Sequence, residues 1–274
     1  PFVSTHYNNR DHRKIAVIDG KTAYTGGANL ADEYINRKNR FGYWKDSAVR
    51  VDGEAVRSFT LMFLQMWNIP RKTDEENYEK YLSASVSDAS ETKGYVIPYA
   101  DSPLDGEKVG ETVYMDMINT ARDYVYIFTP YLILDNEMTT ALQNAAKRGV
   151  DVRIVLPAVP DHKLAFALAK IHSAELIPSG VKIYEFTPGF VHSKVFVSDG
   201  KKAAAGTINL DYRSLYLHFE CGVFIYRNPV VRDIEKDFQE TLAKCQKITM
   251  TEVRNRSTFV KIYGQVLRIV APLM

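Results

Sequence analysis

The sequence predicts an α/β fold of two related halves, with mixed, mostly parallel sheets flanked by helices and an N-terminally incomplete first half. Three observations carry that expectation. A motif recurs at a constant offset of 180 residues. The chain around its second copy alternates between β-rich and helix-periodic runs, as packed α/β layers require. About 90 residues of that alternation precede the second copy, whereas 11 residues precede the first.

The repeat is sharp. His12-Arg13-Lys14-Ile15-Ala16-Val17-Ile18-Asp19-Gly20-Lys21 leads to Gly26-Gly27-Ala28-Asn29-Leu30. His192-Ser193-Lys194-Val195-Phe196-Val197-Ser198-Asp199-Gly200-Lys201 leads to Gly206-Thr207-Ile208-Asn209-Leu210. His, Lys, Asp, Gly, Lys, Gly, Asn and Leu all coincide, so the two stretches are copies. Lys14–Ile18 and Lys194–Val197 read as buried strands. Asp-Gly follows each, and second runs follow at 22–25 and 202–205, which predicts two hairpins. A further strand is expected over 44–51.

In the second half, a helix over 111–121 precedes a strand over 124–128. A helix over 136–148 stops at Gly149 and hands over to a strand over 150–156. A helix over 162–176 ends before Pro178 and Gly180, and a strand over 181–186 follows. Beyond the motif come a strand over 219–226 and a helix over 230–246. Residues 70–93, rich in Ser and charge, read as a linker. The expected divisions are 1–69 as the C-terminal part of the first half, 70–93 as linker, and 94–274 as the second half with a C-terminal helix. Apolar residues between 258 and 274 suggest either a docked helix or one lying on a lipid surface. Pro1 in place of Met points to an excised piece.

Composition narrows the function classes. The chain has 274 residues, a formal charge of +2 and 46% hydrophobic residues. That balance excludes a disordered chain and a nucleic-acid binder acting through bulk basicity. Cys221 and Cys245 give no metal-ligand spacing and no disulfide framework. No stretch reaches the roughly 18 apolar residues of a membrane span. Neither a P-loop nor a dinucleotide fingerprint is present.

The repeated residues point to phosphate chemistry. Lysine offers a point charge to a phosphate oxygen, and Asn29 and Asn209 add neutral donors. One imidazole can attack phosphorus while a second protonates the leaving oxygen from the opposite side. A pair of His-x-Lys motifs supplies both. Asp19 and Asp199 suit any hairpin turn. Glu220, with Asp46 as its counterpart at a spacing six residues longer, can fix an imidazole tautomer. His6, His162, His172 and His218 have no repeat partner, and a helical or loop surface is their expected home. Asp74-Glu75-Glu76 reads as a solvated charge run, so no metal is expected.

This doubled His-x-Lys-(x)4-Asp pattern resembles the HKD signature of the phospholipase D superfamily. The flanks Asn9–Lys14, Gly26–Tyr34, Phe190–Lys194, Gly206–Leu215 and Phe219–Gly222 look like bacterial cardiolipin synthases. The resemblance implies condensation of two phosphatidylglycerol molecules into cardiolipin and glycerol through a phosphohistidine, without cofactor or metal. It implies His12 as nucleophile and His192 as acid and then base. Lys14, Lys194, Asn29 and Asn209 would hold phosphate oxygens, Glu220 would orient His192, and Asp19 and Asp199 would brace the site. It further implies work at a membrane lipid surface, with no nucleic-acid partner. The parent protein would be anchored in the bacterial cell membrane by N-terminal helices outside this chain, its catalytic part on the cytoplasmic side. Two other readings compete: a hydrolytic phosphodiesterase of lipid or nucleic acid, with water as acceptor, and an inactive lipid-binding fragment.

Overall fold

The computed structural model describes residues 9–69, 78–82, 93–254 and Leu267. In chain order the first half contributes β1 (Ile15–Ile18), β2 (Thr22–Gly26), β3 (Tyr43–Lys45), β4 (Ala48–Asp52) and α1 (Val56–Asn68). A short helix α2 (Glu79–Leu82) lies within the expected linker, most of which falls outside the described residues. The second half runs β5 (Tyr95–Asp101), α3 (Val109–Thr120), β6 (Tyr124–Phe128), α4 (Asn136–Lys147), β7 (Asp151–Pro157), α5 (Lys163–Leu176) and β8 (Lys182–Phe186). It continues through β9 (Gly189–Val191), β10 (Val195–Ser198), β11 (Lys202–Gly206), α6 (Tyr212–Tyr216), β12 (Glu220–Tyr226), α7 (Val230–Leu242), β13 (Cys245–Lys247) and α8 (Met250–Arg254).

An eight-stranded sheet orders these strands β13-β8-β7-β6-β10-β11-β12-β5. It is mixed, as expected, but the parallel share is smaller than the sequence suggests. Only β6-β7 and β7-β8 pair in parallel; the other neighbours are antiparallel. The helical crossovers α4 and α5 enforce parallel pairing, whereas the Asp-Gly hairpin and short returns enforce the opposite. The expected helix over 230–246 also stops early, because residues 245–247 leave it to become edge strand β13.

Burial on both faces explains the continuous apolar runs. Along β6, Val125 and Ile127 face a core built with Tyr114 and Met117 of α3, Met138 and Leu142 of α4, and Leu176 of α5. Tyr126 and Phe128 face the opposite side, where Phe238 of α7 stacks on Tyr126 at 4.8 Å. Helix α4 begins at Asp135, whose carboxylate accepts from the Met138 amide, and ends ahead of Gly149 at φ +92°, a conformation that suits glycine.

The first half adds a three-stranded sheet, β1-β2-β4. Ala23, Val51, Val56 and Phe59 bury against Val195, Val197, Ala203, Ala205, Val223 and Ile225 of the large sheet. The two halves therefore share one core. Among the described residues β1 pairs with β2 alone, whereas its repeat counterpart β10 lies between β6 and β11. The expected strand over 44–51 is broken at Asp46-Ser47 into β3 and β4. β3 leaves its own half and pairs in parallel with β9, register Trp44↔Phe190 and Lys45↔Val191.

Candidate active site

Each motif enters its hairpin through an extended His-x-Lys segment, so β1 and β10 start one residue later than expected. The turns match closely: Asp19 and Asp199 have φ +55° and +53°, and the glycines that follow have +65° and +61°. Positive φ at both central positions is the tight-hairpin requirement that Asp-Gly meets. Asp199 also accepts hydrogen bonds from the amides of Arg122, Asp123 and Tyr124, at 2.9, 3.0 and 3.0 Å. It ties β10 to the start of β6. Asp19 is exposed in its turn.

Backbone pairing between the halves places the histidines. The His12 amide donates to the Phe219 carbonyl at 2.9 Å, and the His192 amide donates to the Lys45 carbonyl at 2.7 Å. The next residues along those partner segments are Glu220 and Asp46. Each carboxylate is thus delivered to the histidine of the other half. His12 Nδ1 lies 2.8 Å from Glu220 Oε1, and His192 Nδ1 lies 2.9 Å from Asp46 Oδ2. The expectation that Glu220 orients His192 is corrected: it holds His12, and Asp46 holds His192. The spacing argument fails because pairing follows which backbone segments meet between halves, not the distance along one half.

The electrostatics follow from burial. Burial pushes the Glu220 carboxyl up, but His12, His218 and Thr207 together outweigh it, and the group is held down to about 2. Thr207 donates its hydroxyl to the same carboxylate. Burial also raises Asp46, yet His192 and the Lys194 charge draw it below the usual range. His192, 6% exposed, is lowered to about 4 by burial and then by the Lys194 charge. Trp44, Tyr34 and Phe190 surround its ring, with centroids at 5.3, 5.3 and 6.1 Å. Lys194 is fully buried and lowered to about 7 by that burial. Its Nζ lies 2.9 Å from His192 Nε2. Lys14 is lowered as well, chiefly by burial, and donates to the His12 carbonyl at 2.7 Å. Lys14 feels both Glu220 and Asp46, and Lys194 feels Lys14, so the two motifs act in one field.

The asparagines are not equivalent. Asn209 is buried, and its Oδ1 has no hydrogen-bond partner among the described residues. Asn29 is exposed and donates to the Tyr34 hydroxyl at 2.5 Å, one side chain removed from His192. Gly27 sits where a Cβ would lie 2.1 Å from Asp46 Oδ1 and 2.7 Å from the His192 carbonyl. Its repeat counterpart is Thr207, the Glu220 donor; the two sites are related but tuned differently.

Three participants escaped the sequence reading. Trp44 and Tyr34 carry no repeat signal. His218, expected on a surface, is half-buried, its ring 5.5 Å from that of His12 and Nδ1 3.7 Å from Glu220 Oε1. Its position two residues before Glu220 was the available clue. His172 is buried on α5, and His162 precedes that helix with an exposed side chain. His6 and the acidic run 74–76 lie outside the described residues, as does the C-terminal segment 258–274 except Leu267, which is buried against Ile133 and Leu168.

Residues 114–242 match a family model described as cardiolipin synthase, PLD-like domain. Over those residues the chain is similar to the phospholipase D superfamily. It is 59% identical over 274 residues to a Streptococcus mutans protein described as uncharacterized, covering 59% of that protein. It is 38% identical to a cardiolipin synthase of Geobacillus kaustophilus and 36% to one of Halalkalibacterium halodurans, covering all of this chain and 54% of each relative. The chain therefore spans little more than half the length of the curated relatives it matches. A crystal structure of phosphatidylserine synthase from Haemophilus influenzae superposes with a TM-score of 0.74 at 16% identity, over all of this chain and 73% of that one. That likeness supports the phospholipase D fold.

Proposed function

We propose that the protein carries the centre of a phosphatidyltransferase that joins two phosphatidylglycerol molecules into cardiolipin and glycerol. The observation that carries this reading is the exchange of carboxylates, which orients two imidazoles beside the buried Lys194 and the half-buried Lys14 in one field. The cardiolipin synthase relatives supply the substrate class.

Glu220 accepts the Nδ1 proton of His12, leaving the Nε2 lone pair free to attack phosphorus. A bond forms between Nε2 and phosphorus as the glycerol ester bond breaks. The leaving oxygen takes its proton from His192, whose imidazolium Asp46 stabilises, and glycerol departs. The hydroxyl of a second phosphatidylglycerol then gives its proton to His192 and attacks phosphorus, and His12 is released. Lys14, Lys194 and Asn209 offer the phosphate oxygens charge and amide hydrogens. In the free protein His192 is held low, at about 4, so the anionic phosphodiester must restore its proton affinity on binding.

That same low value favours a second assignment, in which neutral His192 attacks and His12 serves as acid. Rapid quenching with labelled lipid decides between them. Label on His12, lost in His12→Ala and retained in His192→Ala, supports the first assignment; the converse supports the second. Product analysis on phosphatidylglycerol vesicles tests the function itself. Cardiolipin is the expected product; phosphatidic acid alone would indicate hydrolysis. Among the described residues no helix is long and apolar enough to cross a membrane. The cardiolipin synthase relatives support a place at the bacterial membrane for the whole protein, which we propose with the site on the cytoplasmic side.

A further inference from the structure

His218 lies in the site, and the transfer chemistry gives it no task. Its side chain is 12% exposed, and among the described residues neither buried ring nitrogen has a partner within hydrogen-bond distance, the nearest carboxylate oxygen, Glu220 Oε1, standing 3.7 Å from Nδ1. Buried polar atoms without a close partner are costly to keep, so a ligand for that ring has room to add stability. One ligand atom each from His12, His218 and Glu220 lies within 4.8 Å of the others.

We propose that His12, His218 and Glu220 together bind a zinc-class divalent metal ion that inhibits the protein by holding Nδ1 of the nucleophilic histidine and taking its orienting carboxylate. Two imidazoles and one carboxylate are a donor set that zinc accepts with a fourth position left open. Magnesium and calcium favour oxygen-only surroundings, which this cluster does not offer. Zinc–ligand bonds of about 2.0–2.2 Å in a tetrahedron place neighbouring donors roughly 3.3–3.6 Å apart. The separations here, 2.8 Å from His12 Nδ1 to Glu220 Oε1 and 3.7 Å from His218 Nδ1 to the same oxygen, straddle that range. Small side-chain movements therefore complete the geometry.

Glu220, a fully buried carboxylate, supplies the oxygen donor between the two rings. On binding, the metal takes the His12 Nδ1 lone pair and the proton that Nδ1 shared with Glu220 moves to Nε2, so the ring stays neutral and its attacking lone pair is lost; nothing is oxidised or reduced. The bound dication withdraws electron density from the His12 ring and takes its orienting carboxylate. The inhibition rests on the proposed transfer reaction; the binding does not.

The test is calorimetric titration of the metal-stripped protein with zinc chloride, in a Cys245→Ser background that removes the half-buried thiol. One zinc per chain is expected. His218→Gln should weaken it by more than the roughly 10–100-fold that losing an outer-shell contact costs. His218→Asp, which keeps a donor atom, should retain most of the affinity. Unchanged melting temperatures in the apo variants would show that folding is intact. Equal zinc affinity in the parent and His218→Gln, or no zinc in the parent, overturns the site. Zinc bound here without loss of transfer overturns the inhibition. A protein that binds zinc but makes no cardiolipin refutes the transfer reading and leaves the site standing.

Discussion

His12 and Glu220 stand 208 residues apart in the chain and 2.8 Å apart in space. The carboxylate is fully buried, and it holds Nδ1, the imidazole nitrogen opposite the one proposed to attack. Glu220→Gln removes the preference for the productive tautomer. Transfer should fall about 10²–10⁴-fold, the range typical of a positioned acid–base pair. The loss should appear in kcat with KM little changed. Steady-state kinetics on phosphatidylglycerol vesicles measure it.

Lys194 sets the alkaline limb of the rate profile. Its charge is half lost near pH 7 in the free protein because the side chain is buried. The kcat/KM for lipid should therefore decline as pH rises through about 7. Lys194→Arg keeps its charge at any accessible pH, so whatever activity it retains should lack that limb. A profile unchanged by the substitution would remove Lys194 from phosphate binding.

Acid should destabilise the fold. His192 has a folded value of about 4 against an ordinary 6.5, so between those limits the unfolded chain binds more protons. Stability then rises with pH across that window and is lost as pH falls through it. Asp46, lowered in the fold, and Glu220, lowered to about 2, act in the same direction below their ordinary values. Urea midpoints should drop steadily from pH 6.5 to 4, and His192→Gln should flatten the upper part of that slope.

Gly27 tests how tightly Asp46 must sit. An alanine Cβ there would meet Asp46 Oδ1 and the His192 carbonyl. Gly27→Ala should cost about 1–3 kcal/mol, as other overpacked sites do. Its loss of transfer should exceed what the unfolded fraction accounts for. Comparison of urea melts with activity per folded molecule separates the two effects.

Phe59 lies fully buried between the two sheets. Phe59→Ala should destabilise by about 3–5 kcal/mol. Unfolding of both halves in one transition, followed by fluorescence and circular dichroism together, would reflect their shared core.

Much of this was legible because the repeat is exact in spacing. His12, Lys14, His192 and Lys194 could be paired from the constant offset alone, and the Asp-Gly turns fall where the hairpins place them. Strands such as β6 were plain from their continuous apolar runs. What stayed hidden depends on contacts between halves. Asp46 reads as the middle of a strand until β3 turns aside to pair with β9, and its partner is decided there. Similarly, Glu220 was assigned to its neighbour in sequence because nothing local shows Phe219 meeting the His12 amide. His218 carried no repeat signal, and only the fold places its ring beside His12.

The exchange of carboxylates has a consequence for inheritance. A duplicated gene whose copies each hold the partner's orienting group cannot drift as two independent units. A substitution at Asp46 is felt at His192, and one at Glu220 at His12. Selection would then tie residues that lie far apart on the coding strand, and recombination between the two copies would break both sites at once.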